Sequence, residues 1–457
     1  MFGYDTFLFM LATGWRANSA LDKSRLKGAS ATDAELLPEA ALACFTLLLW
    51  LAYMAVDMLV KADRIKASVA HKTKMLLVVG AMAAGTLAPA AQHIHSRMFR
   101  GGGGHDGGIT ITEAAATHLL RGVNPYSASY APWLPPDHEA IHHYPYGPMS
   151  FLLAAPGKWL AQRVGVGYDN RLLYVTCFLW LFASCWLLTT NAIHTRLLAI
   201  GVGLNPVFGA WVAAGENDVL MVAFLIAALV LATRSKTGLA SIAVGLAVAT
   251  KQHAVLFAVP WLLHLAFASS AEGPGARPRA RRLFLAGVLP CALGALLPYL
   301  PFLLSSARDV LDDNVLMFIG MSEYGNLGVR AHPSIWGLSR LLVCAGLVQT
   351  TGSMPGWATL LMVVGGASAT LFTALAMSRH REALSLVPLG AALLVLAAEF
   401  PGRQFSITYV GFMLVFLAYA WFADRLDGPV VSRPDEAAGL PGPGSAQVES
   451  EDLAAPR

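Results

Sequence analysis

The side chains able to do chemistry are concentrated in one stretch. His93–Met149 carries Asp106, Glu113, Asp137, Glu139 and a dense set of histidines, between apolar segments of a largely apolar chain. Long connections tend to be functional or disordered. Here ITITEAAATHLLRG has helical spacing, and NPY and YPYGP read as rigid turns, so the stretch is expected to fold. Its carboxylate Asp106 can serve as a general base toward a hydroxyl. Three further polar sets stand at the ends of apolar runs: Glu216–Asn217–Asp218, Lys251–Gln252–His253 and Arg403–Gln404. Ionisable groups near membrane depth are costly and are functional candidates by default. The plainer reading is a set of solvated helix ends that stop the spans. A cation such as Lys251 or Arg403 can neutralise a departing phosphate. Base, cation and apolar surroundings together suit group transfer from a lipid-linked donor.

The elements that must position these groups follow from composition. The chain has 457 residues, 56% hydrophobic and 13% charged, against about 25% charged in soluble domains. Several apolar runs approach the roughly 20 residues that cross a bilayer. An all-α polytopic membrane protein of about eleven spans is expected, with membrane lipids as partners. The net charge of +4 gives no reason to expect nucleic acid. Cys44, Cys177, Cys185, Cys291 and Cys344 all lie in apolar stretches without metal-ligand spacing and read as buried small hydrophobes.

Basic loops set the orientation. Residues 61–74, 191–196, 234–236, 277–282 and 379–381 fall on one side, the cytoplasm, provided that 150–164 does not cross but lies along the surface. The four polar sets then share the other side. The expected layout is an N-terminal segment 1–36, whose side is unassigned, a membrane domain 37–423 and a disordered cytoplasmic tail 424–457. The domain has two outer loops, 93–149 with juxtamembrane helices and 305–334. The acids Asp312, Asp313 and Glu323 of the second loop read as groove-cover residues.

RGVNPYSASYAPW, HYPYGPMSFLLAAP, GLNPVFGAWVAAGENDVL and GLAVATKQHAVLFAVP, in that order, resemble the GT-C glycosyltransferases. Among these the chain is similar to glycosyltransferase family 87, the polyprenyl-phosphate-mannose-dependent mannosyltransferases. The resemblance covers roughly residues 75–265 well and the rest loosely. It implies a GT-C-like bundle and an inverting transferase of the bacterial-type inner membrane, with its site on the extracytoplasmic face. The donor would be a polyprenyl-phosphate sugar, most readily mannose, and the acceptor a lipid or glycan. The family's first outer loop supplies an aspartate base shortly before a G-x-N-P-Y turn. Asp106 stands in that relation to Gly122–Tyr126. Asn217 and Asp218 match the family's G-x-N-D corner, and Lys251 its lysine near the donor phosphate. Relatives often carry D-x-D at the base. This chain has Asp106-Gly107-Gly108, so the second acid is missing, which argues against a bound metal.

His253 and Arg403 are expected to join Lys251 at the donor phosphate. Tyr126, His142, His143, Tyr146, Glu216, Asn217, Asp218, Gln252 and Gln404 are expected to contact substrate. The tyrosines suit sugar stacking or an interfacial belt. His138, His142 and His143 lie near Asp137 and Glu139, and imidazole with carboxylate can hold a metal. Water or sugar hydroxyls are their expected partners, and no metal or other cofactor is expected. Two other classes stay open: a lipid or sugar transporter or flippase, and a non-catalytic subunit of a cell-envelope glycan synthesis complex. The halves show no convincing internal repeat of the kind transporters often carry.

Overall fold

The computed structural model describes residues 4–13, 33–100, 106–134, 140–268, 280–281, 283–317, 321–322, 337–347, 356–402 and 405–427. For 33–44, Arg100, Asp106 and Gly107 it describes the backbone path alone. The described chain is all-helical. We number its α-helices α1 (4–13), α2 (Asp33–Lys61), α3 (Ala67–Met82), α4 (Ala88–Arg100), α5 (Ile111–Leu120), α6 (Met149–Val164), α7 (Arg171–Leu187), α8 (Ala192–Gly203) and α9 (Pro206–Ala214). They continue as α10 (Asp218–Ala232), α11 (Thr237–Val248), α12 (Val255–Ala268), α13 (Leu289–Leu296), α14 (Leu300–Leu311), α15 (Leu338–Cys344), α16 (Gly356–Arg379), α17 (Leu386–Leu394) and α18 (Ile407–Phe422).

Among the described residues, three helical runs, Ala67–Phe99, Phe284–Leu316 and Gly356–Arg379, are long and apolar enough to cross a membrane. The pair α8–α9, bent by 48°, makes a fourth if taken as one span. Shorter apolar helices fill the space between them, and the chain is a membrane protein. The π turns Ala83–Leu87, Phe284–Val288 and Val395–Glu399 each stand just before a proline: Pro89, Pro290 and Pro401. A proline removes a helical hydrogen bond and crowds the preceding turn. A widened turn absorbs that disruption without ending the helix.

Contacts sort the connections into two groups at opposite ends of the bundle. At one end the Arg196 guanidinium lies 2.9 Å from Asp5, which also takes Lys74 at 2.9 Å. Lys74 pairs with Asp57 at 2.5 Å. At the same end Asp424 accepts from the Thr190 and Asn191 backbone and meets His194. A cavity of about 350 Å³ there is lined by Thr233, Thr237, His264, Glu382 and Arg425, among others. These are the ends carrying the basic loops. The buried ion cluster also places the start of α1 at this end.

The other end holds the Asp106 turn, Glu216–Asp218 and Lys251–His253. Helix α6 returns its chain to that end: Met149 N donates to Ala249 O, while Gly167, beyond its other terminus, packs on Met98. The outer stretch folds around a core of its own. Tyr126, Tyr130, Tyr144 and Phe151 are buried with Ile111, Phe302 and Val310. Tyr144 and Phe151 meet edge-on at 5.2 Å, as do Phe151 and Phe302.

Three boundaries differ from expectation. Helix continues from α3 through α4 to Arg100, past the His93 position expected to open the first loop. On the second loop, α14 and the π turn Asp312–Leu316 carry Asp309, Asp312 and Asp313 on a helix end. The tail is anchored where it starts: Asp424–Asp427 forms a 3-10 turn whose Asp424 is bound to Thr190 and Asn191. Residues 428–457 lie outside the described set.

Candidate active site

The corner at Gly215–Asp218 is the centre of the site. Asn205 caps α9, its Oδ1 accepting from Val207 N and Phe208 N, and Pro206 follows at the position where its missing N–H costs nothing. Helix α9 ends at Gly215, whose φ of +107° suits a residue without Cβ. Helix α10 starts at Asp218, where an acid favours the positive end of the helix dipole. The local sequence thus dictates a tight reversal that leaves Glu216, Asn217 and Asp218 between two helices.

Lys251 meets this reversal. Its ammonium lies 2.6 Å from Asp218 Oδ1 and 3.4 Å from Asn217 Oδ1, and 5.5 Å from the centre of the Tyr146 ring. Asp218 is 3% exposed and Lys251 8%. The second oxygen of Asp218 makes no hydrogen bond among the described residues. Asp218 also lines a crevice with Phe208, Trp211, Glu216 and Thr408. Next along the chain, Gln252 donates to Asn314 at 3.0 Å and to Pro145 O at 3.3 Å. His253 Nε2 stands 2.8 Å from the Tyr409 hydroxyl and 3.6 Å from Glu399.

The base candidate is brought to the same corner. Asp106 opens the π turn Asp106–Thr110, and its side chain lies outside the described set. A Cβ on Gly108 would stand 2.5 Å from Gly215 O and 3.2 Å from Asn217 N. The turn is therefore in backbone contact with the corner that holds Lys251. Tyr174 secures it by donating to Gly108 O at 3.2 Å. This contact explains the missing second acid. Gly108 occupies the place of that residue, and no side chain fits there.

The PYGP turn is docked in the same way. Gly147 N donates to Thr250 O at 3.0 Å, and a Cβ on Gly147 would stand 2.0 Å from Ala249 O. Gly147→Ala must push the turn off the strand of backbone leading to Lys251, at a cost of about 1–3 kcal/mol. The expected result is a lower melting temperature and faster proteolysis of the outer stretch. Wild-type values for both would show that the turn is not fixed there.

Two residues expected to contact substrate are buried and hold other partners. Tyr126 is 2% exposed, packs on Tyr144, Phe151 and Phe302, and donates to Tyr146 O. It ties the NPY turn to the PYGP turn and presents no face to a sugar. His143 is 1% exposed, with Nδ1 2.7 Å from Asp313 and Nε2 3.2 Å from Ser322. Its ring joins the two outer loops. His142 is exposed and Tyr146 half-buried. Arg403, Gln404, Asp137, His138 and Glu139 lie outside the described residues.

One polar cluster escaped the sequence reading. Arg97 is 2.6 Å from Glu113, which also accepts from Asn170 N, while Asp169 lies 3.4 Å from Arg171. Burial pushes the Glu113 carboxyl above its usual range, with Arg97 opposing. The cluster bolts α4 and α5 to the start of α7. Its one visible signal was the D-N-R run before an apolar helix.

Residues 144–399 match the family model of glycosyltransferase family 87. The chain belongs to this family. No curated protein matches it. As a family 87 glycosyltransferase it uses a sugar donor and an acceptor. Glu216–Asp218 and Lys251–His253 fall inside the matched residues, and Asp106 lies before them.

Proposed function

We propose that this family 87 enzyme is an inverting transferase that moves a hexose, mannose before other sugars, from a polyprenyl-phosphate carrier to a lipid or glycan acceptor. The reaction takes place at the extracytoplasmic face of a bacterial-type inner membrane. The acceptor hydroxyl attacks the anomeric carbon, and Asp106 takes its proton. The bond from that carbon to the phosphate oxygen breaks on the opposite side, and polyprenyl phosphate leaves. Lys251 meets the charge that develops on the phosphate. An ammonium has three donors, and the departing phosphate competes with Asp218 and Asn217 for them. His253 and Arg403 are the further donor-side groups. Glu216, Asn217, Gln252, Gln404, His142 and Tyr146 are the proposed substrate-binding groups. Apolar helix faces take the polyprenyl tail.

The observation that carries this reading is the close contact of Gly108 with Gly215 and Asn217, which sets the turn begun by Asp106 beside the Lys251–Asp218 pair. A transfer assay tests it. Membranes holding the protein are supplied with radiolabelled polyprenyl-phosphate mannose, glucose, galactose or arabinose, and with lipid extracts as acceptors. Label is expected in acceptor from the mannose donor first, with the anomeric configuration inverted. Transfer from a nucleotide sugar alone, or retention of configuration, would overturn the proposal.

A further inference from the structure

The described residues include six buried acids: Asp5, Glu113, Asp169, Asp218, Asp312 and Asp313. The first four each face a lysine or arginine. Asp5 has Lys74 and Arg196, Glu113 has Arg97, Asp169 has Arg97 and Arg171, and Asp218 has Lys251. Asp312 and Asp313 have neither among the described residues. Among the described residues their basic neighbour is His143, at 3.5 Å from Asp312 and 2.7 Å from Asp313. With both carboxyls ionised, two adjacent acids against one imidazole leave the cluster negative whether the ring is neutral or protonated. Burying an uncompensated charge costs several kcal/mol, so this arrangement calls for a cation.

We propose that His143, Asp312 and Asp313 bind one divalent cation of the Mn²⁺ or Zn²⁺ type. Their ligand atoms all lie within 4.8 Å of one another. Ligands held at about 2.1 Å from a single ion stand about 3–3.5 Å apart; Asp312, at 3.5 Å from His143 Nδ1, is already at that spacing, and Asp313, at 2.7 Å, has to open slightly to admit the ion. The surrounding hydrogen bonds hold each ligand in place. Ser322 donates its hydroxyl proton to Asp312 at 2.8 Å, which leaves its oxygen to accept from His143 Nε2 at 3.2 Å. A proton on Nε2 leaves Nδ1 with a lone pair aimed at two carboxylate oxygens. Between a neutral Nδ1 and an ionised Asp313 that contact needs a proton or a metal cation, and a metal cation also serves Asp312. The Tyr144 amide holds the other Asp313 oxygen at 2.8 Å and so turns Oδ1 toward the ring. Supporting bonds of this kind fix ligand direction in metal sites.

The ligand set argues for the ion. One imidazole with two carboxylates suits Mn²⁺ or Zn²⁺ better than Ca²⁺ or Mg²⁺, which favour all-oxygen shells. The ion's role is to tie the outer loops. His143 precedes the PYGP turn, and Asp312 and Asp313 lie on the helix end after α14. Asn314, next in the chain, holds Gln252 and Tyr299. The ion would thus lock the first outer loop to the second beside the Lys251 corner, at a place distinct from the D-x-D position.

The test uses the full chain, purified in detergent, stripped with EDTA and titrated with MnCl₂ or ZnCl₂. About one equivalent of one of these ions is expected to survive gel filtration, with a higher melting temperature that EDTA reverses. His143→Gln and Asp313→Asn are expected to weaken binding at least about tenfold. Asp312→Asn, which can keep its bond to Ser322, is expected to do the same in a protein that still elutes as a folded species. Less than about a tenth of an equivalent in wild type, or equal retention in the Asp312→Asn protein, would overturn the site. Metal content and melting are read without sugar transfer, so a failed transfer assay leaves this result standing.

Discussion

Asp106→Asn is expected to lower sugar transfer by about 10²–10⁴-fold, the range lost with a positioned general base. The amide matches the carboxylate in size and keeps its polarity, but it does not accept the proton of the attacking hydroxyl at neutral pH. The turn that carries residue 106 is held by other groups: Gly108 against Gly215 O, buried Ile109, and the Tyr174 hydroxyl on Gly108 O. Melting temperature and gel-filtration profile should therefore match wild type. The loss should fall on kcat with the donor KM little changed, as for an interaction realised in the transition state. Gly108→Ala is the companion variant. It keeps the carboxylate but drives a Cβ into Gly215 O, so it should lower activity by displacing the base and also lower the melting temperature. If Asp106→Asn retains half of wild-type transfer, Asp106 is not the base, and another acid of the outer stretch must be sought.

Much of this arrangement was legible in the chain. The grouping of loops at two ends follows from where basic and polar runs interrupt apolar ones, a signal spread along the whole sequence. The G-x-N-D corner and the NPY and PYGP turns were legible because Gly, Pro and Asn have strong local backbone preferences. Boundaries were less so. Composition turns polar at His93, yet no residue there breaks a helix, and the helix runs on through Arg100. Residues whose role is set by distant partners were not legible at all. Tyr126 reads as a sugar platform until Phe302, far along the chain, is found against it. His143 and Asp313 are 170 positions apart, and no period or motif joins them. The same holds for Glu113 and Asn170. Gly108 reads as a lost acid, and only the opposing carbonyl of Gly215 shows it as a steric requirement.

Lys251 poses the sharper question, because its ammonium is both buried and paired. Lys251→Met leaves Asp218 as an uncompensated acid at 3% exposure, and breaking a buried pair from one side costs about 3–5 kcal/mol. The single variant should therefore lose both transfer and several degrees of melting temperature, which alone does not separate a phosphate ligand from a scaffold bolt. The double variant Lys251→Met/Asp218→Leu separates them. Replacing both charges with apolar side chains of similar length removes the desolvation penalty, and such exchanges are often neutral or stabilising. Melting should return to near the wild-type value. Transfer should not return, because nothing then meets the charge on the departing phosphate, a contribution of about 10²–10³-fold for one electrostatic donor. Should the double variant recover transfer together with stability, the pair is structural. The donor phosphate would then have to be held by other cations, with Arg403 the first to examine.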